Sequence, residues 1–182
     1  SSAASDVYKR QTYKGFDMSM FFNFMYDFDV LNANKIMLTT WADNKENNFL
    51  MDIASDKRWR NFDDMGNEIR YSPEVLAEFN KNATMWNPTS IGRPICMSYA
   101  VEDGSFLRLN SATLGYTLPS VWTKKVGLSK VRFYVSGNNL FTLTGYSGYD
   151  PEVNIATGLT PNIDYNRYPR SRTYTFGAQL TF

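Results

Sequence analysis

The stretch RTYTFGAQLTF, residues 172–182, alternates without a slip: Tyr174, Phe176, Ala178, Leu180 and Phe182 lie on one face, Thr173, Thr175, Gly177, Gln179 and Thr181 on the other. Side chains on a strand project to opposite faces with a period of two, so this segment has one uninterrupted apolar face and one small, polar face. Barrel strands that cross a membrane need about 9–11 residues patterned in this way.

Three earlier segments carry the same pattern. In 13–27 the apolar row is Phe16, Met18, Met20, Phe22, Phe24 and Tyr26, opposite Asp17, Ser19 and Asn23, with Phe21 and Met25 blurring it. In 105–118, Ala112, Leu114, Tyr116 and Leu118 oppose Ser111, Thr113, Gly115 and Thr117; in 130–144, Val131, Phe133 and Val135 oppose Arg132, Tyr134 and Ser136. A soluble sandwich shows Lys and Glu to bulk water, whereas these polar faces are mostly Ser, Thr, Gly, Asn and Gln, as a crowded, hydrated barrel lumen requires. The pattern predicts an all-β, antiparallel transmembrane β-barrel fragment with strands at 13–27, 105–118, 130–144 and 172–182.

The connections fit that architecture. Residues 119–130 (PSVWTKKVGLSK) form a short link, whereas 28–105 and 145–171 are far longer than ordinary loops. Outer-membrane barrels pair short periplasmic turns with long external loops, and the order found here satisfies that parity. Within the longer connection, Ser72-Pro73-Glu74 before Val75, Leu76 and Phe79 predicts a short helix: Ser as N-cap, Pro at the first position, Glu near the positive dipole end. A second helix is expected around 31–41, and turns are expected where Asn and Asp crowd, at 44–48 and 61–67.

Composition narrows the function classes. The chain of 182 residues has a net charge of +1 with both signs interspersed, so nucleic acid is not an expected partner. It has no histidine and a single cysteine, Cys96, which removes Ser/His and Cys/His nucleophilic pairs, imidazole zinc sites and internal disulfides. Enzymatic chemistry is not expected and no cofactor is implied. No apolar run is long enough for a membrane-spanning helix, while an aromatic share of 16% suits a barrel with girdles at both membrane interfaces, Trp122 and Tyr116 marking the lower one. Residues 1–11 (SSAASDVYKRQ) show neither period and resemble the translation of a sequencing adapter; they are expected to be a non-native lead-in, with 12–182 the barrel part.

Four strands cannot close a barrel, for which about eight are the minimum, and an open sheet edge in lipid costs several kcal/mol per unpaired group. The sequence therefore reads as the carboxy-terminal part of something larger. The blocks VEDGSFLRLNSATLGYTLP (101–119), VRFYVSGNNLFTLTGYSGYDPEVN (131–154) and YPRSRTYTFGAQLTF (168–182), preceded by YKGFDMSMFF (13–22), resemble the end of SusC/RagA-type TonB-dependent outer-membrane transporters. The resemblance implies a 22-stranded barrel with an amino-terminal plug, importing oligosaccharides or peptides across the cell outer membrane. It also implies a SusD-like surface lipoprotein as partner and the TonB complex as driver, engaged through an amino-terminal part outside these residues. No family motif matches residues 43–70.

Under that resemblance Tyr174, Phe176, Leu180 and Phe182 read as the recognition signal for the barrel-assembly machinery. Tyr146, Tyr149, Tyr165 and Tyr168 fall in the last external loop, where they would contact substrate or a lid protein, or else pack the loop. Asp17, Asn23, Arg132, Tyr134 and Asn138 are lumen-facing candidates for contact with substrate or plug, or for hydrogen bonding within the wall. Asp150 and Glu152, two carboxylates without a third ligand at fixed spacing, are expected to shape their loop rather than to catalyse or bind calcium. Two rival readings remain at this level: a complete eight-stranded barrel, with four more strands in 28–105 and a structural or adhesive role, and a soluble carbohydrate-binding β-sandwich with the tyrosines as its platform.

Overall fold

The computed structural model describes residues 3–40, 48–53, 57–90, 95–153 and 162–182. Eight strands occur among them: β1 (Ala3–Tyr13), β2 (Phe16–Tyr26), β3 (Asp29–Asn32), β4 (Val101–Asp103), β5 (Phe106–Thr117), β6 (Lys130–Thr144), β7 (Ile163–Asp164) and β8 (Thr173–Thr181). The described residues within 1–30, 102–162 and 167–182 form one compact unit, and those within 31–101 and 163–166 a second.

The first unit is an antiparallel sheet in the order β1-β2-β5-β6-β8. Its bounds match the four expected strands to within about three residues, and a fifth strand is added at the amino-terminal edge. Ala3–Tyr13 pairs residue for residue with β2, from Ala3 opposite Tyr26 to Tyr13 opposite Phe16. The turn between them has positive φ at both central residues, Lys14 (46°) and Gly15 (86°), the geometry whose twist suits a two-residue hairpin. Periodicity could not reveal this strand, because Ser5, Lys9 and Gln11 share a row with Phe24, Met20 and Met18.

Register places the apolar residues of β2, β5, β6 and β8 on one continuous face. Across it run Met18, Leu114, Val135 and Phe176, and beside them Phe16, Tyr116, Phe133 and Ala178. Phe16, Leu114, Phe133, Leu143, Tyr174, Phe176 and Leu180 on this face are all exposed, an apolar area that a water-soluble monomer does not display. The Phe16 and Tyr116 rings lie 4.4 Å apart near the end that carries the Lys14–Gly15 turn. Phe21 and Met25, which blur the sequence pattern, fall on the opposite face, paired with Ser111 and Phe106.

Against β2, Leu109 and Ser111 face the consecutive residues Phe22 and Phe21, leaving Asn110 as an extra residue of β5; against β6 the register slips at the same place, with the extra residue on β6 between Asn138 and Phe141. A bulge of this kind reverses which residues face which way. It puts Leu107 and Leu109 on the apolar face with Phe24 and Phe22, and turns Arg108 to the polar face beside Asn23.

The two long connections leave the sheet at the same end. The connection 118–129, which carries the short helix α3 (Ser120–Thr123), leaves from the other, where Gly127 (φ 74°) caps the following turn. The described residues of 28–105 supply β3 and β4 as strands, of four and three residues, rather than the four long strands of a complete small barrel.

The second unit contains the two expected helices. The one anticipated at 31–41 is α1 (Ala33–Thr39), capped by Asn32, whose side chain accepts from the Lys35 N–H at 3.3 Å; Trp41 lies outside the described residues. The other is α2 (Pro73–Asn80), with Ser72 at the N-cap and Pro73 at the first position, though the Ser72 hydroxyl makes no capping bond. Asn80 at its end clamps residue 60: Oδ1 accepts from the Arg60 N–H at 2.6 Å and Nδ2 donates to the Arg60 carbonyl at 2.9 Å. The turn expected at 61–67 forms around Asp63, whose carboxylate accepts from the Met65 and Asn67 N–H groups at 2.9 and 2.8 Å. The Asn67 side-chain amide, and then its backbone N–H, hold the Asp63 carboxyl below the usual carboxylate range. Of the turn expected at 44–48, residues 44–47 lie outside the described residues. β7 pairs in parallel with the end of β3, Leu31 opposite Ile163 and Asn32 opposite Asp164.

Candidate functional site

The polar face of the sheet gathers all five residues singled out for it. Asp17, Asn23, Arg132, Tyr134 and Asn138 lie on one side, because their register partners Gly115, Arg108, Thr117 and Ser111 connect them into adjacent rows. Arg132 reaches from β6 across β5 to Asp17 on β2: Nε donates to Oδ1 at 2.8 Å, and Nη2 donates to Oδ2. A planar guanidinium matches a carboxylate in two parallel bonds, so this pair ties three strands together.

Glycine makes the crossing possible. A Cβ on Gly115 would lie 2.4 Å from Arg132 Nη2 and 2.6 Å from Asp17 Oδ1, so the ion pair occupies the space a side chain would fill. Tyr134 uses a second glycine: its ring lies over Gly177, where a Cβ would meet Cζ at 2.4 Å, and the Arg132 guanidinium sits 5.3 Å from the Tyr134 ring centre. Asp17 and Arg132 are thus bonded to each other within the wall. Asn23 Oδ1 and Asn110 Oδ1, by contrast, are buried acceptors without a hydrogen-bond partner among the described residues.

A second constellation lies at the end of the sheet where the long connections emerge. Arg108, 2% exposed, donates through Nη2 to Asp150, and its Nη1 lies 3.1 Å from Glu152 Oε2, within ion-pair range though not aligned as a hydrogen bond. Arg170 Nη2 meets Glu152 Oε1 at 2.9 Å, and Arg167 Nη1 donates to the Glu152 carbonyl at 2.9 Å. Glu152 N–H in turn donates to Asp150 Oδ1 at 3.0 Å. The carboxylates therefore shape the loop, tying 150–152 both to β5 and to the approach to β8. Arg108 escaped sequence reasoning because its partners lie 42 and 44 residues away and its inward orientation depends on the bulge.

The four tyrosines differ in exposure. Tyr146 is buried against Val30, Val153 and Phe28, so it is a core residue of the loop and not a contact surface. Its ring folds over Gly148, where a Cβ would come within 2.3 Å of it. Tyr149 and Tyr168 are exposed in the first unit, and Tyr165 is exposed in the second. In β8, Tyr174, Phe176 and Leu180 share the apolar row, Phe182 follows the strand, and all four are exposed. β8 pairs with β6 on one edge, with no partner on the other among the described residues.

No family model matches the chain. In backbone shape, 98% of it superposes on a solved structure of the RagAB peptide importer in its open-open state, with a TM-score of 0.69 and 23% identity, using 17% of that protein. In sequence, it is 36% identical over 162 residues, 74% of its length, to TonB-dependent receptor P3 of Formosa agariphila. It is also 38% identical over 88 residues, 46% of its length, to TonB-dependent receptor SusC of Bacteroides thetaiotaomicron. The chain is a segment of a SusC/RagA-type TonB-dependent receptor. It spans 16% of the length of P3 and 8% of SusC. Its five-stranded sheet is accordingly a piece of TonB-dependent receptor barrel.

Proposed function

We propose that the receptor containing this segment imports a nutrient, an oligosaccharide or a peptide, across the cell outer membrane, and that the segment itself performs no covalent chemistry. It supplies wall, assembly signal and part of the external mouth. The observation that carries this reading is the division of the sheet into an exposed apolar face, which meets outer-membrane lipid, and a polar face braced by the Asp17–Arg132 pair, which meets the lumen. Exposed Tyr149, Tyr165 and Tyr168 are contacts for substrate or for a SusD-like lipoprotein, and the buried, unmet acceptors of Asn23 and Asn110 are points where plug, substrate or water would bind. The driving force enters from the TonB complex through the amino-terminal plug.

We assign the wall to residues 12–182 and take residues 1–11 as a non-native lead-in. Lys9 stands opposite Met20 in the middle of the row that faces lipid, where a lysine costs about 2–4 kcal/mol.

The row Tyr174, Phe176, Leu180 and Phe182 acts as the signal read by the barrel-assembly machinery. Replacing Phe182 with alanine in the whole receptor is expected to lower its amount in the outer membrane several-fold and to lower TonB-requiring nutrient uptake in proportion. Membrane fractionation alongside uptake checks both. Normal assembly of the variant contradicts the signal, and uptake that continues without the TonB complex contradicts the import reading.

A further inference from the structure

The short connection 118–129 is firmly tied to the sheet. The Leu118 N–H donates to the Val131 carbonyl at 2.9 Å, the Leu128 N–H to the Thr123 carbonyl at 3.1 Å and the Ser129 N–H to the Thr181 carbonyl at 2.8 Å. These bonds fix both ends of the connection, to β6 and β8, and close it across the middle. α3 lies against β6, and Thr123 is 1% exposed. Val131, on the same face of the sheet as exposed Phe133 and Leu180, is buried at this end as well.

A connection bathed in water would turn polar groups outward. Here Val121, Trp122 and Val126 are 68%, 60% and 70% exposed, beside exposed Lys124 and Lys125. Single exposed apolar residues are ordinary, but a cluster at the end of an exposed apolar face enlarges that face. The depression on the polar face at this end is lined by strand and turn residues, among them Asp17 and Arg132, and by none from 118–129, so the connection stands clear of it.

Charge is equally one-sided. No Asp or Glu occurs between Asp103 and Asp150, while Lys124, Lys125 and Lys130 fall within that span. No ion pair among the described residues engages Lys124 or Lys125. The end from which the long connections leave carries instead Asp27, Asp29 and Asp103 around one depression. An indole flanked by lysines is the composition of a membrane interface, where the ring sits at headgroup depth and the ammonium groups meet lipid phosphates.

We propose that the 118–129 connection docks anionic phospholipid headgroups, with Val121, Trp122 and Val126 entering the acyl boundary and Lys124 and Lys125 holding the phosphate. The occupant is a bilayer lipid rather than a dissolved phosphate, because the exposed apolar side chains gain burial only from acyl chains. The proposal rests on the reading that the apolar face of the sheet meets lipid, and adds which lipid charge is selected at the end carrying the short connection.

The test titrates the whole receptor, purified in neutral detergent, with phosphatidylglycerol and counts bound lipid by native mass spectrometry. Phosphatidylcholine of the same chains, soluble glycerophosphoglycerol and an end-blocked hexaglutamate serve as comparisons. Phosphatidylglycerol is expected to bind more tightly than phosphatidylcholine, and Lys124→Gln combined with Lys125→Gln to weaken it about tenfold while leaving phosphatidylcholine unchanged. Lys124→Arg combined with Lys125→Arg should retain the preference, and Trp122→Ala should weaken both lipids. Equal affinity for the two lipids, an unchanged preference in the glutamine variant, or competition by either soluble anion as strong as that of lipid overturns the proposal. An unchanged preference with spin labels on the apolar row of β8 still shielded from water removes this site and leaves the wall reading; a lost preference with that row open to water does the reverse.

Discussion

Replacing Arg108 with alanine is expected to cost about 3–5 kcal/mol, the loss that follows when one partner of a buried ion pair is removed and the other stays behind uncompensated. Arg108 is fully buried, Asp150 is 6% exposed, and the Asp150 side chain sits between Arg108 and the backbone N–H of Glu152. Arg170 offsets only part of that loss, because its Nε lies at the limit of ion-pair range, 4.0 Å from Asp150 Oδ2, and its Nη2 is engaged with Glu152. The visible consequence in the whole receptor is release of the loop that follows β6. Protease cleavage between residues 145 and 171 should accelerate roughly a hundredfold or more, tenfold for each 1.4 kcal/mol of opening free energy. Asp150→Asn introduced together with Arg108→Ala should recover part of the loss, since it removes the orphaned charge. Cleavage unchanged in Arg108→Ala would show that the network is not what holds the loop.

Substituting Gly115 with valine should separate Asp17 from Arg132, because the new side chain enters the space their bonded groups occupy. Both groups are about one-fifth exposed, so the loss lies between that of a surface pair and that of a fully buried one, about 1–3 kcal/mol. The cost arises from the lost pair rather than from the backbone, which makes it non-additive. In an Asp17→Asn background the same Gly115→Val change should cost much less. The midpoint at which the folded barrel is lost on heating in detergent, measured for both single variants and the double, reads this coupling. Full additivity would mean that the glycine serves some purpose other than admitting the ion pair.

Much of the wall was legible in the sequence, for a physical reason. Where one face meets lipid and the other a polar lumen, each strand carries its orientation in its own alternation, and β6 and β8 begin and end close to where that alternation does. β1 has no such record, since Lys9 and Gln11 interrupt its apolar row, and it became visible only through its pairing with β2. The bulge at Asn110 is equally silent, because FLRLN alternates acceptably in either register and only the neighbouring strands decide. The inward turn of Arg108 has no local signature for that reason, and burial of Tyr146 beneath a loop leaves no local pattern either. Gly115 and Gly177 read as ordinary members of a small, polar face; that each makes room for a neighbour's side chain is a property of adjacent strands, not of one.

These features combine into a single assignment. In the proposed assignment the apolar rows face lipid and the Asp17–Arg132 brace faces the lumen, while the Arg108 network ties down a loop at the end from which both long connections emerge. All of this depends on the two faces of the sheet meeting different solvents. The most direct measurement places single spin labels at residues 173–181 of the whole receptor in lipid, with Cys96 replaced by serine, and compares access to oxygen with access to a water-soluble nickel chelate. Labels at Tyr174, Phe176, Ala178 and Leu180 should favour oxygen, and those at Thr175, Gly177 and Gln179 the chelate, in strict period-two alternation. Equal access to the chelate along both rows would contradict the barrel-wall assignment.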